Sequence, residues 1–294
     1  MTRRHCPLCG EDRPRLLATV AARTICDGNT TYRPDAPSLL GIDTAAEFAF
    51  VRCLACGFVY AQDAPGAALL ERLYNVVIDA ERAYAESHQP SWVAHQLQLA
   101  ATLLARFENR ETANILDYGC GHGAIVRALA CTGYEYAESV AAAGRARGLA
   151  IFSDMNEIRA RAPFDGIVLS DVLEHVPEPR ATLATCRDLL HAGGWICVSV
   201  PDFSERRARA VFDALRRGEA VTREVNPWEH LNYFSPETLA AMLTRGGFVV
   251  EPYATATFGL RPAGWGNALK SAGRMLGFAA RPHATTTTLL ARRD

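Results

Sequence analysis

The nine residues Ile115 to Gly123, ILDYGCGHG, constrain this chain more than any other stretch. An apolar pair and an aspartate lead into glycines at alternate positions, Gly119, Gly121 and Gly123, and a helical pattern, AIVRALACT, follows at once. Where a strand ends in bare backbone and a helix opens, N–H groups and the helix dipole face outward together, ready for a ligand. The alternation then continues. ANILDY, YEYAE, LAIFS, FDGIVLS and GWICVSV read as strands, with SVAAAGRAR and PRATLATCRDLLHAGG as helices between them. This pattern predicts an α/β fold: a parallel sheet covered by helices on both faces, with ligands at the carboxyl ends of its strands.

The spacing of the glycines narrows the ligand. Dinucleotide sites space them G-x-G-x-x-G to admit a pyrophosphate. Here the third glycine comes one residue early, and Asp117 stands before the first. A carboxylate at that place suits a ligand carrying a cationic amino group better than it suits a pyrophosphate.

The first 62 residues hold a different signal, CPLCG at 6–10 echoed by CLACG at 53–57. Two thiolates two residues apart grip one face of a tetrahedral Zn²⁺, and the glycine lets the turn fold its N–H groups toward sulfur. Cys6, Cys9, Cys53 and Cys56 would complete a closed, structural site; the alternative is a redox pair. Cys26 lies between the knuckles as a spare thiol, and ATVAART and EFAFVRC read as strands. Residues 63–110 carry the helical patterns GAALLERLYNVV and SWVAHQLQLAATLLARF, separated at Pro90.

The remaining composition excludes more than it selects. A formal net charge of −1, from 31 basic and 32 acidic residues, supplies no global field for a polyanion, so nucleic acid is disfavoured. No stretch reaches the roughly 18 apolar residues of a membrane span. MTRRHCPLCG puts cysteines where a signal peptide needs an apolar run, so a cytoplasmic location is expected. Nine cysteines, an odd number, favour thiols and metal over a disulfide framework.

Four ordered blocks, at 115–123, 165–177, 189–201 and 229–248, resemble the class I S-adenosylmethionine-dependent methyltransferases, in particular a broad bacterial group with LDxGCGxG, DVLEHV, LLxxGGxxxxSVP and EHLNYFSPE. The resemblance implies a Rossmann-like sheet over 111–294, with an insert at about 202–232 and C-terminal strands running to 294. A helical bridge at 63–110 and a small zinc-ribbon-like module at 1–62 would precede it. It also implies that Gly119 and Gly121, in a loop with Cys120 and Gly123, approach the methionine part of the cofactor, with Asp117 near its amino group. Glu138, with Glu135 as the alternative, would accept from the ribose hydroxyls. Asp154 would lie near the adenine amino group or serve as a helix N-cap, and Ser170 and Asp171 would line the methionine side.

A sulfonium methyl is already activated, so the protein need only align the acceptor and take its proton. SDVLEHVPEP offers Asp171, Glu174 and His175, and NPWEHLNYFSPET offers Glu229, His230 and Tyr233. Glu174, His175 and His230 are the candidate catalytic residues. The D-x-x-E-H group with a distant histidine is similar to the divalent-metal site of plant small-RNA 2′-O-methyltransferases and, loosely, of ubiquinone-pathway O-methyltransferases. A second cation at Asp171, Glu174, His175 and His230 is one reading, and a hydrogen-bonded scaffold is the other. Arginines 206, 207, 209, 216, 217 and 223 in the insert interleave with acids and read as a solvated helix face. The expected function is methyl transfer to oxygen, nitrogen or carbon of a small molecule. A resemblance of the cysteine module to that of deoxysugar C-methyltransferases points toward a sugar or natural-product acceptor. An rRNA methyltransferase and a non-catalytic scaffold are the alternatives.

Overall fold

The computed structural model describes residues 1–28, 32–33, 35–219, 225–251 and 286–294. Its centre is a seven-stranded sheet, and its N-terminal part is a smaller antiparallel one.

In the N-terminal part, β1 (Thr2–Arg3), β2 (Pro14–Ala21), β3 (Glu47–Cys53), β4 (Val59–Ala61) and β5 (Asp63–Ala64) follow in order. β1 pairs with β5, while β2, β3 and β4 form a meander that carries the second cysteine knuckle between β3 and β4. Helices at Ala67–Arg72, Ala80–Ser87 and Pro90–Leu104 lead to the main sheet, with a π-helical turn at Leu73–Val77. Pro90 stands in the first turn of the last of these, where its missing N–H costs nothing.

The main sheet is built from β6 (Ile115–Tyr118), β7 (Thr132–Tyr134), β8 (Ile151–Phe152), β9 (Phe164–Ser170) and β10 (Leu190–Pro201). A two-residue strand, β11 (Asn232–Tyr233), then precedes β12 (Phe248–Val250) and β13 (Thr286–Arg293). Spatial order is β12-β13-β10-β9-β6-β7-β8. β6 to β10 run parallel, and β13 is antiparallel to both β10 and β12. The central strands are apolar on both faces. Ile167 and Leu169 pack with Leu183, Leu239 and Leu243 of the helices at Pro179–Leu189 and Pro236–Arg245, whereas Val168 and Cys197 face Leu99 and Leu103 of Pro90–Leu104. Helices thus cover both faces, as expected of a buried parallel sheet. SPET at 235–238 sets the start of its helix with a reciprocal cap between Ser235 and Thr238.

The strand order reverses between β6 and β9, and the crevice outside their carboxyl ends is where an open α/β sheet binds ligands. The segment after β10 does not stay with the main sheet. β11 adds to β4, pairing Asn232 with Tyr60 and Tyr233 with Val59. Phe203, Phe212, Trp228 and Tyr233 bury themselves against Val20, Phe48 and Phe50 of the N-terminal strands. Among the described residues no helix is long and apolar enough to cross a membrane.

Candidate active site

Everything at the switch point begins with the loop after β6. The Gly119 and Cys120 N–H groups both donate to the Tyr134 carbonyl, at 2.8 and 2.9 Å, which draws the loop onto the end of β7. Gly119 has φ 79°, and a Cβ there would lie 2.5 Å from Val172 Cγ2. Gly121 has φ 50°, but a Cβ on it would meet no atom within 4 Å, so its bare side faces open space. Gly123, also left-handed, caps the helix Ala124–Leu129. Cys120 is half-buried, and its surroundings raise its thiol pKa through burial.

Two carboxyls border that space. Asp117 is only 3% exposed. Burial first, and the charge of Glu135 second, push its pKa up to about 7. Glu135 follows β7 directly. One of its oxygens accepts from Gly121 N–H and the other from Ala137 N–H, both at 2.9 Å. Burial raises its pKa in spite of these donors. Glu138 stands elsewhere, in the first turn of the helix Glu138–Arg145, exposed and bound to Arg145 at 2.5 Å and to Ser153. Asp154 is exposed and caps the helix Met155–Arg159, accepting from Asn156 N–H at 2.9 Å. At the end of β9, Ser170 accepts from Gln96 Nε2 at 2.9 Å and donates to Asp171 Oδ2 at 2.8 Å. Asp171 has φ 54° and a pKa raised to about 6, chiefly by burial.

The candidate catalytic residues converge beside this. Glu174 is 2% exposed, and among the described residues its carboxyl has only its own N–H and the neighbouring Asp171 carboxyl at hand. Burial, reinforced by the Asp171 charge, holds its pKa well above the carboxylate range. His175 Nε2 lies 3.9 Å from Glu174 Oε1, and the His175 and His230 rings meet edge to face with centroids 4.7 Å apart. One ligand atom from each of Glu174, His175 and His230 falls within 4.8 Å of the others. Asp171 is not in that group, although its carboxyl, which accepts from Ser170, also pairs with that of Glu174. Two further candidates have other partners: Tyr233 donates to the His230 carbonyl at 2.7 Å, and Glu229 accepts from Tyr32 at 2.6 Å and from Asn226 at 3.0 Å.

Residues that the sequence did not single out complete the surroundings. The π-helical turn brings Tyr74 Oη to 3.3 Å from His175 Nδ1 and its ring to 6.5 Å from Tyr136. Tyr84 stacks on His88 at 3.8 Å and meets His122 of the glycine loop at 5.1 Å. The segment between Leu73 and His88 therefore packs onto the loop and the histidines together. Of the insert's arginines, Arg216 pairs with Asp213, Arg217 with Glu219 and Arg209 with Glu205; Arg223 lies outside the described residues.

The four cysteines also come together. Cys6 and Cys56 sulfurs are 3.5 Å apart, Cys9 and Cys53 sulfurs 3.6 Å, and all four lie within 4.8 Å. Each knuckle closes with a left-handed glycine, Gly10 or Gly57, whose N–H donates to the carbonyl of its leading cysteine. Backbone N–H groups of Leu8 and Cys9 face the Cys6 sulfur, and those of Ala55 and Cys56 face that of Cys53. The Cys26 side chain lies outside the described residues.

Comparison with known proteins gives the family. A family model described as a methyltransferase domain matches residues 92–253, more than half of the chain. The chain is 31% identical over 171 residues to a protein of Xylella fastidiosa named ubiquinone biosynthesis O-methyltransferase, covering 53% of this chain and 67% of that one. It is 30% identical over 167 residues to the trans-aconitate 2-methyltransferase of Mycolicibacterium gilvum, covering 52% and 64%. The fold is similar to the plantazolicin methyltransferase BamL, solved with SAH, at a TM-score of 0.52 and 16% identity over 73% of this chain and 89% of that one. The strand-loop-helix leaves open space at Gly121, between buried Asp117 and half-buried Glu135, where a donor such as S-adenosylmethionine has room. This chain belongs to the methyltransferase-domain family and is an S-adenosylmethionine-dependent enzyme.

Proposed function

We propose that the enzyme methylates an oxygen of a small molecule, with the acceptor hydroxyl placed against Glu174, His175 and His230. The observation that carries this reading is the buried Glu174 carboxyl, set beside the Asp171 carboxyl and within 4.8 Å of two imidazoles. A carboxyl so placed is costly to the fold unless it takes a proton or faces a cation, which are the two things an acceptor hydroxyl needs nearby. The donor supplies a methyl on a sulfonium, so no further activation of the methyl is required. The chain's part is to orient and to move one proton. Glu135 releases Gly121 N–H to accept from the ribose hydroxyls, in place of the exposed Glu138, while Asp117 takes the amino group. Asp154 is left with its N-cap and a place beside the adenine edge, and Ser170 and Asp171 with the methionine side. His230 takes the acceptor proton, directly or by holding a divalent cation with Glu174 and His175.

Cys6, Cys9, Cys53 and Cys56 in this reading hold one structural Zn²⁺. Tetrahedral thiolates at about 2.3 Å from zinc stand about 3.8 Å from one another, and the sulfur pairs at 3.5 and 3.6 Å match that spacing closely. Four thiolates leave no open position for chemistry.

A screen of labelled methyl transfer over phenols, carboxylic acids, sugars and RNA tests the acceptor class. Transfer to a hydroxyl-bearing small molecule is expected, and transfer to RNA alone would refute it. His230→Ala that folds normally yet retains near-normal turnover would remove His230 from the site. Loss of turnover with chelator, restored by Mg²⁺ or Mn²⁺, would mark the cation role. A pH–rate limb without metal dependence would mark the base.

A further inference from the structure

Arg4 lies in the N-terminal module, two residues before Cys6, yet it is only 7% exposed. Its guanidinium uses all five N–H donors. Nε and Nη2 bond the Ala61 carbonyl at 3.2 and 2.7 Å, and Nη2 also bonds the Leu231 carbonyl at 2.7 Å. Nη1 bonds the Pro177 carbonyl at 3.0 Å and Asn232 Oδ1 at 3.1 Å. No carboxylate is among these partners, and the Tyr60 ring lies 5.6 Å from its Cζ. The charge of Glu178 offsets its burial only in part, and a buried cation hydrogen-bonded to neutral acceptors is expensive, so the acceptors it gathers are informative.

They belong to the two segments that deliver the catalytic candidates. Asn232, fixed by Arg4 through Oδ1, donates from Nδ2 to the carbonyls of Leu173 and Val176 at 2.8 and 2.7 Å. The Leu231 and Asn232 N–H groups both donate to the Glu174 carbonyl, at 2.6 and 3.1 Å. Arg4 and Asn232 therefore stitch residues 173–177, which include Glu174 and His175, to residues 231–232, which follow His230. At the other end, Arg4 N–H bonds the Gln62 carbonyl at 2.9 Å and the chain enters the first cysteine knuckle.

We infer that Arg4 is a positioning residue for methyl transfer: it locks the His175 loop to the His230 segment and makes the four-cysteine module a structural part of the active site. This rests on the reading of Glu174, His175 and His230 as the acceptor site. It also accounts for the way the segment after β10 leaves the main sheet to pair with β4.

Hydrogen exchange on the full chain tests it, with Arg4→Lys, Asn232→Ala and the double variant. Lysine keeps the charge but presents three donors from one point, and cannot span four separate acceptors. Amides in 171–178 and 230–233 are expected to exchange faster by about tenfold or more in each single variant, the size of effect that lost buried hydrogen bonds produce. The double variant is expected to be no faster than either single one, because both break the same clamp. Peptides covering Gly119 to Gly123, and S-adenosylmethionine affinity by calorimetry, should not change, and in turnover the loss should fall on kcat with the donor KM unaltered. Unchanged protection in the two segments, a uniform increase over the whole chain, or additive effects of the two substitutions would each overturn the inference. Failure of the acceptor-site reading shows separately, as normal turnover in His230→Ala with the clamp intact.

Discussion

Lowering the pH from 7.5 to 5.5 is expected to weaken S-adenosylmethionine binding through Asp117. Burial and Glu135 raise this carboxyl from 3.8 to about 7. At 1.36 kcal/mol per unit, the ionised form in the empty site costs about 4 kcal/mol, an upper bound for a group whose surroundings can relax around the charge. Because the folded pKa is the raised one, the empty protein binds a proton that the unfolded chain has released. Its stability is greatest below the unfolded carboxylate pKa, declines as pH rises toward about 7, and is level above that. A cationic amino group reverses the preference, since it binds ionised Asp117. Donor affinity should therefore fall about tenfold per pH unit below 7 and hold level just above it. Isothermal titration at half-unit intervals reads this directly. Asp117→Asn should flatten the profile, bind weakly throughout, and be more stable than wild type at pH 8 when empty. A wild-type affinity independent of pH, or full affinity in Asp117→Asn at pH 7.5, would refute the assignment of Asp117 to the amino group.

The glycine loop separates folding from binding. Gly119→Ala places its Cβ 2.5 Å from Val172 at φ 79° and should cost about 2–5 kcal/mol in urea denaturation, whereas Gly121→Ala, with no atom within 4 Å, should cost only about 1–2 kcal/mol and yet abolish donor binding. Elemental analysis should find one zinc per chain in wild type and none in Cys53→Ser; iron, or equal zinc in both, would be contrary. Glu174→Gln mimics the protonated carboxyl that burial favours, so it should melt higher than wild type at pH 8, with the difference shrinking as pH falls toward the unfolded glutamate range, while turnover is lost. An unchanged or lowered melting point at pH 8 would show that the fold does not raise the Glu174 pKa.

Strands buried on both faces were the most legible part of the sequence. FDGIVLS corresponds to β9 at Phe164–Ser170, because an apolar run between turn residues has few other places to go, and EFAFVRC, whose buried residues largely alternate, corresponds to β3 at Glu47–Cys53. The cysteine pairs and the glycine loop were legible for a related reason: their chemistry lies within a few adjacent residues. Glu135 and Glu138 were separable only once β7 was seen to stop at Tyr134, which leaves Glu135 at its carboxyl end and carries Glu138 onto the helix. PRATLATCRDLLHAGG reads as one helix, but the helix ends at Leu189 and β10 already begins at Leu190. Nothing in MTRRHC distinguishes Arg4 from Arg3. Its role depends on Asn232, 228 positions away, and on a two-residue strand too short to show any periodicity. Tyr74 was hidden likewise, since a π-helical turn shifts the face that a 3.6-residue repeat would assign to it.

Titration of the purified protein with S-adenosylmethionine, in wild type and in Glu135→Ala, tests the account most directly. Glu135 is the only acidic side chain bound to the glycine loop among the described residues, and its position between the Gly121 and Ala137 N–H groups is the ground for proposing it as the ribose acceptor. The account expects wild type to bind one donor molecule per chain and Glu135→Ala to fold normally but bind far more weakly, with Glu138→Ala indistinguishable from wild type. Absence of binding by wild type, or loss of binding in Glu138→Ala with Glu135→Ala unaffected, would contradict it.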